Sequence, residues 1–383
     1  MVARVIFGIS IAGRYTRDER PSSQEEGEKM ESVLVTGSEK MDLLSLFLSE
    51  ITDLCKERGE KAFRARQIYE HLHVRGVRSF QEMTNLSLSL RESLDRDFAI
   101  ASLGLVEEQV SRLDGTRKYL FALPDGNMIE SVLMKYSYGL SVCISSQVGC
   151  RMGCRFCAST IGGKVRDLTA GEMLSQVTEI ERLAGARVSH IVVMGSGEPF
   201  DNYDNLLRFL RLCGDGAGEK RSLRNITVST SGLVEEILRF GGEGLPVTLA
   251  LSLHASNQKE REALMPIARK YEIKEVINAC RVYFEKTGRR VTFEYSLVSG
   301  VNDSREAAER LGKLLSGFSC HVNLIPVNPV RERSFRQPSQ REIQAFAAVL
   351  EKYGEHVTIR REMGRDIQGA CGQLRAGYLK ENG

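Results

Sequence analysis

The chain lacks any apolar run near the ~20 residues that a membrane-crossing helix requires, and its 383 residues show no internal repeat and no coiled-coil heptads. These absences remove membrane-span, solenoid and rod readings. The short apolar stretch after Arg4 is followed by Arg14, Arg17 and Arg20, not by a small-residue cleavage site, so export is rejected. Large charge of either sign is also missing. A net charge of +3 is too mild to announce nucleic-acid binding by itself, and fits a structured RNA partner or a small-molecule enzyme equally. Nine cysteines, an odd number, argue against a disulfide scaffold. We expect a soluble protein in a reducing compartment, the cytoplasm, with thiols free to bind metal or react.

What is present is an ordinary globular composition, 42% hydrophobic and 27% charged, in a chain long enough for one large domain and a smaller one. Residues 1–40 are rich in Ser, Glu, Gly and Arg without periodicity, and we expect a disordered extension that need not be native, with Met30 and Met41 as alternative starts. Helical periodicity over 43–54, 62–73 and 86–98 predicts a helical accessory domain over 41–105. Segments 118–123 and 128–135 flank Pro124-Asp125-Gly126-Asn127 and predict a β-hairpin within 106–135. From 136 to 375, strands over 141–145, 190–194, 225–229, 247–253, 290–297 and 321–325 alternate with helices over 170–184, 202–212, 234–240, 273–286, 304–315 and 340–352. That βαβα pattern predicts an α/β domain with a parallel sheet, open or closed into a barrel. Residues 376–383 are a tail.

The strongest chemical signal is Cys150-Arg-Met-Gly-Cys154-Arg-Phe-Cys157, directly after the first of those strands. Thiolates suit soft metals, and compact spacing lets one loop wrap one face of a [4Fe–4S] cluster, leaving an iron open. A zinc site is the competing reading, but zinc usually shows two CxxC pairs and no second pair exists here. Gly195-Ser-Gly197-Glu198-Pro199, Ser229-Thr-Ser-Gly232, Ser252-Leu253-His254 and Pro326-Val-Asn328-Pro329 close four of the strands. Polar and glycine residues at the carboxyl ends of successive parallel strands mark a ligand-binding rim.

C-x3-C-x2-C is the signature of the radical S-adenosylmethionine (SAM) superfamily. The string Cys143-Ile-Ser-Ser-Gln-Val-Gly-Cys150 resembles the RlmN family of RNA methyltransferases acting on adenine C2. The resemblance runs from about Met41 to near the C-terminus and implies a radical SAM partial (β/α)6 barrel. It implies a cluster on Cys150, Cys154 and Cys157. SAM would meet Gly197, Glu198, Ser229, Ser252, Leu253, His254 and Asn328. Ser196 departs from the family's usual Met and leaves the Gly-Glu pair intact.

The same resemblance makes Cys371, in Ala-Cys371-Gly-Gln-Leu, the methyl-carrying nucleophile, Cys143 the resolving thiol and Glu130 an active-site proton acceptor. It further implies two SAM molecules per turnover, 23S rRNA and tRNA as substrates, and an electron donor such as flavodoxin. A monomer is assumed. Two alternatives stand beside it: the related resistance branch that methylates adenine C8, and a non-catalytic, zinc-stabilised RNA-binding module. Arg331, Arg333, Arg336, Arg360, Arg361 and Arg365 are candidates for the RNA backbone. Cys55, Cys213, Cys280 and Cys320 read as packing residues.

Overall fold

The computed structural model describes residues 40–328 and 335–367. Strand β1 (Met41–Asp42) pairs in parallel with β2 (Phe98–Ala99), gathering helices α1 (Leu48–Glu57), α2 (Ala62–His73) and α3 (Leu88–Asp97) into a module. Periodicity alone placed the first helix at 43–54, but it starts at Leu48 after a 3-10 turn over Leu43–Ser45. The cause is Asp42, whose carboxylate accepts from Leu44 N at 3.0 Å, Ser45 Oγ at 2.8 Å and Ala101 N at 2.8 Å. Those bonds favour a tight turn over a continuous helix. Ser45 Oγ in turn accepts from Gly171 N, which fixes the module against the main domain.

The main sheet has ten strands: β3 (Gly104–Val110), β4 (Arg117–Ala122), β5 (Met128–Tyr136), β6 (Gly139–Ile144), β9 (His190–Val193), β10 (Ile226–Thr230), β11 (Thr248–Ser252), β12 (Val291–Leu297), β13 (Cys320–Pro326) and β14 (His356–Ile359). Six of these, β6 and β9 to β13, are the six parallel strands expected, and β14 adds a seventh at the edge. The hairpin β4–β5 joins them edge-on, because β5 pairs antiparallel with β6. Two short strands, β7 (Gln147–Gly149) and β8 (Lys164–Asp167), form a separate antiparallel clasp. The crossovers carry helices α4 (Ala170–Ala184), α5 (Tyr203–Gly214), α6 (Val234–Gly242), α7 (Gln258–Leu264), α8 (Ile273–Thr287), α9 (Arg305–Leu315) and α10 (Gln340–Lys352). Thr169 caps α4 and Ser339 caps α10, each in a reciprocal box with the glutamate three residues on.

Register sorts the strand residues into two faces, since cross-strand partners point the same way. Leu133, Val142, Ile191, Val228, Leu251, Phe293 and Val322 share one face and belong to the main hydrophobic core, where the helices pack. The opposite face carries Val132, Cys143, Val192, Ser229, Ala250, Ser252, Glu294, Ser296 and Asn323. It is largely polar from β10 onward, and the candidate site lies on it. Among the described residues no helix is long and apolar enough to cross a membrane.

Candidate active site

The clasp β7–β8 holds the cysteine loop at its neck. Gly149 sits at φ 78°, and a Cβ there would fall 1.9 Å from the Gly163 carbonyl oxygen, so only glycine permits the approach. Cys150 N donates to that same oxygen at 3.0 Å. Inside the loop, Thr160 Oγ1 donates to the carbonyls of Cys154 at 3.2 Å and Cys157 at 3.0 Å. Asp201 braces the clasp from the neighbouring strand end, accepting from Gln147 Nε2 at 2.9 Å and Lys164 Nζ at 3.1 Å and pairing with Arg151.

Cys150 and Cys154 are buried and Cys157 is half-buried. Burial pushes the Cys150 thiol up to about 12, helped by the charges of Glu198 and Cys157. Cys154 is raised further by burial and by the two other cysteines of the loop. Only a cationic metal centre shared by the three sulfurs would make them thiolates in this setting. Three cysteine sulfurs offered by one loop are the soft donor set that an iron–sulfur cluster takes.

Behind the loop lies the Gly-Glu strand end. Gly195 and Gly197 are required by crowding: a Cβ would meet Ile144 O at 2.6 Å in the first case and Ser146 Oγ at 2.6 Å in the second. Glu198 is buried, and burial raises its carboxyl. Its oxygens accept from Phe200 N at 3.1 Å and Ser231 N at 2.7 Å, so it ties the ends of β9 and β10 together. The Ser229 and Ser252 hydroxyls meet at 3.4 Å on the polar face. Leu253 is fully buried in the main core, which leaves only its backbone for any ligand.

His254 takes φ 54°, a left-handed conformation that a non-glycine residue adopts at a cost. Its backbone carbonyl accepts from Asn302 Nδ2 at 2.8 Å and its Nδ1 from Ser296 N at 2.9 Å. Burial, with the nearby Arg261 cation, pulls the imidazole down to about 3. The ring is thus neutral with its proton on Nε2, and it packs edge-on against Phe156 of the cysteine loop at 4.7 Å.

A cavity of about 240 Å³ brings several of the expected residues together: Cys143, Cys157 and Asn328 line it, with Met194, Ser296 and Arg360. Glu130 lies further along β5, on the same face as Val132 and Met134, which also line the cavity. It is buried and pairs with Lys118 Nζ at 3.1 Å, the lysine being buried completely. Cys371 lies outside the described residues, as do Arg331 and Arg333. Four participants escaped the sequence reading: Lys118, Asp201, Arg261 and Glu294. Lysine at an inward position of strand β4, opposite a strand carrying Glu130, was the one available signal. Glu294, whose carboxylate accepts from Asn323 Nδ2 at 2.8 Å, sits beside Ser252 in register.

Residues 144–311 match the model of the radical SAM superfamily, and residues 41–100 match that of the ribosomal RNA large subunit methyltransferase N-terminal domain. A probable dual-specificity RNA methyltransferase RlmN of Lachnoclostridium phytofermentans is 56% identical over 341 residues, covering 89% of this chain and 96% of that protein. The protein of the same description in Clostridium perfringens is 51% identical, covering 89% and 99%. The crystal structure of a radical SAM methyltransferase from Sphaerobacter thermophilus superposes with a TM-score of 0.84 at 44% identity, covering 87% of this chain and 98% of that one.

Proposed function

The chain belongs to the RlmN family of radical SAM RNA methyltransferases, and on that premise we propose that it methylates C2 of a specific adenine in 23S rRNA and of an adenine in tRNAs. The observation that carries this reading is the shared cavity: Cys143, Cys157 and Asn328 open onto one space at the polar face of the sheet. The proposed roles of resolving thiol, cluster ligand and cofactor contact require one substrate within common reach, and a shared cavity supports that requirement.

Cys150, Cys154 and Cys157 would hold one [4Fe–4S] cluster. Gly197, Glu198, Ser229, Ser252, Leu253, His254 and Asn328 would hold SAM. Bound there, the two cofactors supply one-electron chemistry that abstracts hydrogen, which no protein side chain offers. The remaining work belongs to the polypeptide. Cys371 attacks the methyl group of a first SAM, forming a sulfur–carbon bond, releasing S-adenosylhomocysteine and losing its thiol proton. With the cluster and a second SAM bound, hydrogen abstraction would free that carbon to bond to the adenine ring, and the unpaired electron left on the adduct would return to the cluster.

The covalent protein–RNA link is broken when the ring proton is removed and Cys143, as a thiolate, attacks the Cys371 sulfur; the electrons of the sulfur–carbon bond pass to the bridging carbon, which takes up a proton to become methyl. The product leaves with its methyl group, and the Cys143–Cys371 disulfide is reduced by external thiols. Glu130 serves as a proton acceptor near the ring, and its contact with Lys118 Nζ at 3.1 Å fixes where that carboxylate sits. His254, neutral and fixed by Ser296, offers Nε2–H as a donor that does not change with physiological pH. Flavodoxin-type electron donation, a monomeric state and a cytoplasmic location complete the proposal.

The test is incubation of reconstituted protein with SAM, a low-potential reductant and bacterial rRNA, followed by mass spectrometry of the digested nucleosides. We expect 2-methyladenosine. Finding 8-methyladenosine instead would move the enzyme to the C8 branch, and finding neither would sink the assignment.

A further inference from the structure

Helix α7 begins Gln258-Lys259-Glu260-Arg261-Glu262, a string that reads as a solvated face. Arg261 is nevertheless fully buried, the bulkiest of the side chains with almost no exposure. Its Nη2 donates to the Ser231 carbonyl at 2.6 Å and lies 3.5 Å from that of Ser252. Its Nε and Nη1 are buried without a hydrogen-bond partner. A guanidinium taken out of water in this way costs several kcal/mol unless an opposite charge faces it. The nearest acids on α7 are committed elsewhere: Glu260 pairs with Arg310 at 2.7 Å, and Glu262 accepts from Gln258.

The cysteine loop packs against the end of the same helix. A negative charge on Cys154 or on the α8 residue Cys280 would favour the guanidinium's charge. Cys154 packs with Leu264 and Met265 in a small buried cluster, Arg155 N donates to Leu264 O at 2.9 Å, and Met265 N donates to Arg261 O at 2.7 Å. Gly153 leaves room for Pro266, which would otherwise lie 3.3 Å from a Cβ. Arginine and loop are thus bound into one rigid unit. Burial pulls Arg261 down to about 10, so it stays cationic at neutral pH.

We propose that Arg261 is a positioning residue whose fixed positive charge offsets the anionic, thiolate-bound cluster and sets how readily that cluster accepts an electron. The inference rests on the cluster assignment above. Reduction adds one negative charge beside a buried cation, and in a low-dielectric interior that pairing is strong. Net charge around an iron–sulfur centre is one of the levers on its potential. Without the cation the oxidised form is favoured, and the midpoint becomes more negative.

The experiment is a dithionite titration followed by EPR, on anaerobically reconstituted full-length wild type, R261K, R261Q and R261M, with iron and sulfide content measured on each. At the wild-type midpoint we expect the reduced-to-oxidised ratio of R261Q and R261M to fall about tenfold or more, a shift of ~59 mV for one electron. R261K should fall less. Equal midpoints in all four loaded proteins would overturn the proposal. If the two neutral variants assemble no cluster, R261K decides: normal loading assigns the role to charge, and loss of loading assigns it to packing and ends the idea. Wild type with no iron–sulfur centre would instead remove the cluster assignment itself.

Discussion

Leu133, Val142 and Ile191 lie side by side across β5, β6 and β9; one residue away on the same strands, so do Val132, Cys143 and Val192. The first row belongs to the core beneath the helices; in the second, Val132 and Cys143 line the cavity and Val192 packs against them. Further along, the contrast sharpens: Phe293 and Tyr295 on one side of β12, Glu294 and Ser296 on the other. One side of the sheet answers to packing and the other to chemistry. A substitution on either side should therefore fail in a different assay.

The largest expected effect is on the chemical side. Cys150→Ala should abolish cluster loading and methyl transfer, seen as lost iron and absent methyladenosine, while leaving a folded chain by circular dichroism. Retained turnover would break the comparison outright. On the packing side, Phe293→Ala removes a fully buried ring that meets Phe318 edge-on at 5.6 Å, and should cost about 3–5 kcal/mol in urea unfolding. A cost under ~1 kcal/mol would mean that this face is not the stabilising one.

Lys118 and Glu130 test whether the division holds where an ion pair is buried. Lys118→Met alone should destabilise by roughly 3–5 kcal/mol, because it removes the cation beside a buried carboxylate, and adding Glu130→Leu should restore most of that. The double variant should still be inactive. Full activity in it would remove Glu130 from the site.

The smallest effect is a slope. His254 is held at about 3 against an ordinary 6.5, so between those values the unfolded chain binds more protons than the folded one. Its contribution to stability is complete above pH 6.5 and is lost as pH falls toward 3. His73, held at about 4 by burial, adds the same sign, and Asp42, raised to about 6 by burial, adds the opposite sign between 3.8 and 6. The diagnostic is the difference between wild type and His254→Gln, whose acid-side slope should be flatter. Identical slopes would show that the ring is not buried in solution.

Much of this division is legible in the chain itself. The six parallel strands, the β4–β5 hairpin and the rim strings at 195–199, 229–232 and 252–254 follow from periodicity and turn chemistry. The cysteine loop is legible from spacing alone. Strand β3 is not, because Gly104–Val110 buries no residue on either face and has no apolar alternation to read. Strands β7 and β8 are too short for a period to register. Arg261 and Lys118 mislead for a different reason: pattern reading sends charges to water, and here tertiary structure takes them inside. The left-handed turn at His254 leaves no trace in composition.

The neck at Gly149 and Gly163 has a thermodynamic corollary. Drawing together the two ends of a loop this size carries a length-dependent entropy of about 2 kcal/mol. In this protein a strand pair and a hydrogen bond from Cys150 to Gly163 already hold the noose shut. An inorganic core bound there, as proposed above, would therefore meet a loop already closed, and its affinity would be spared that entropic toll.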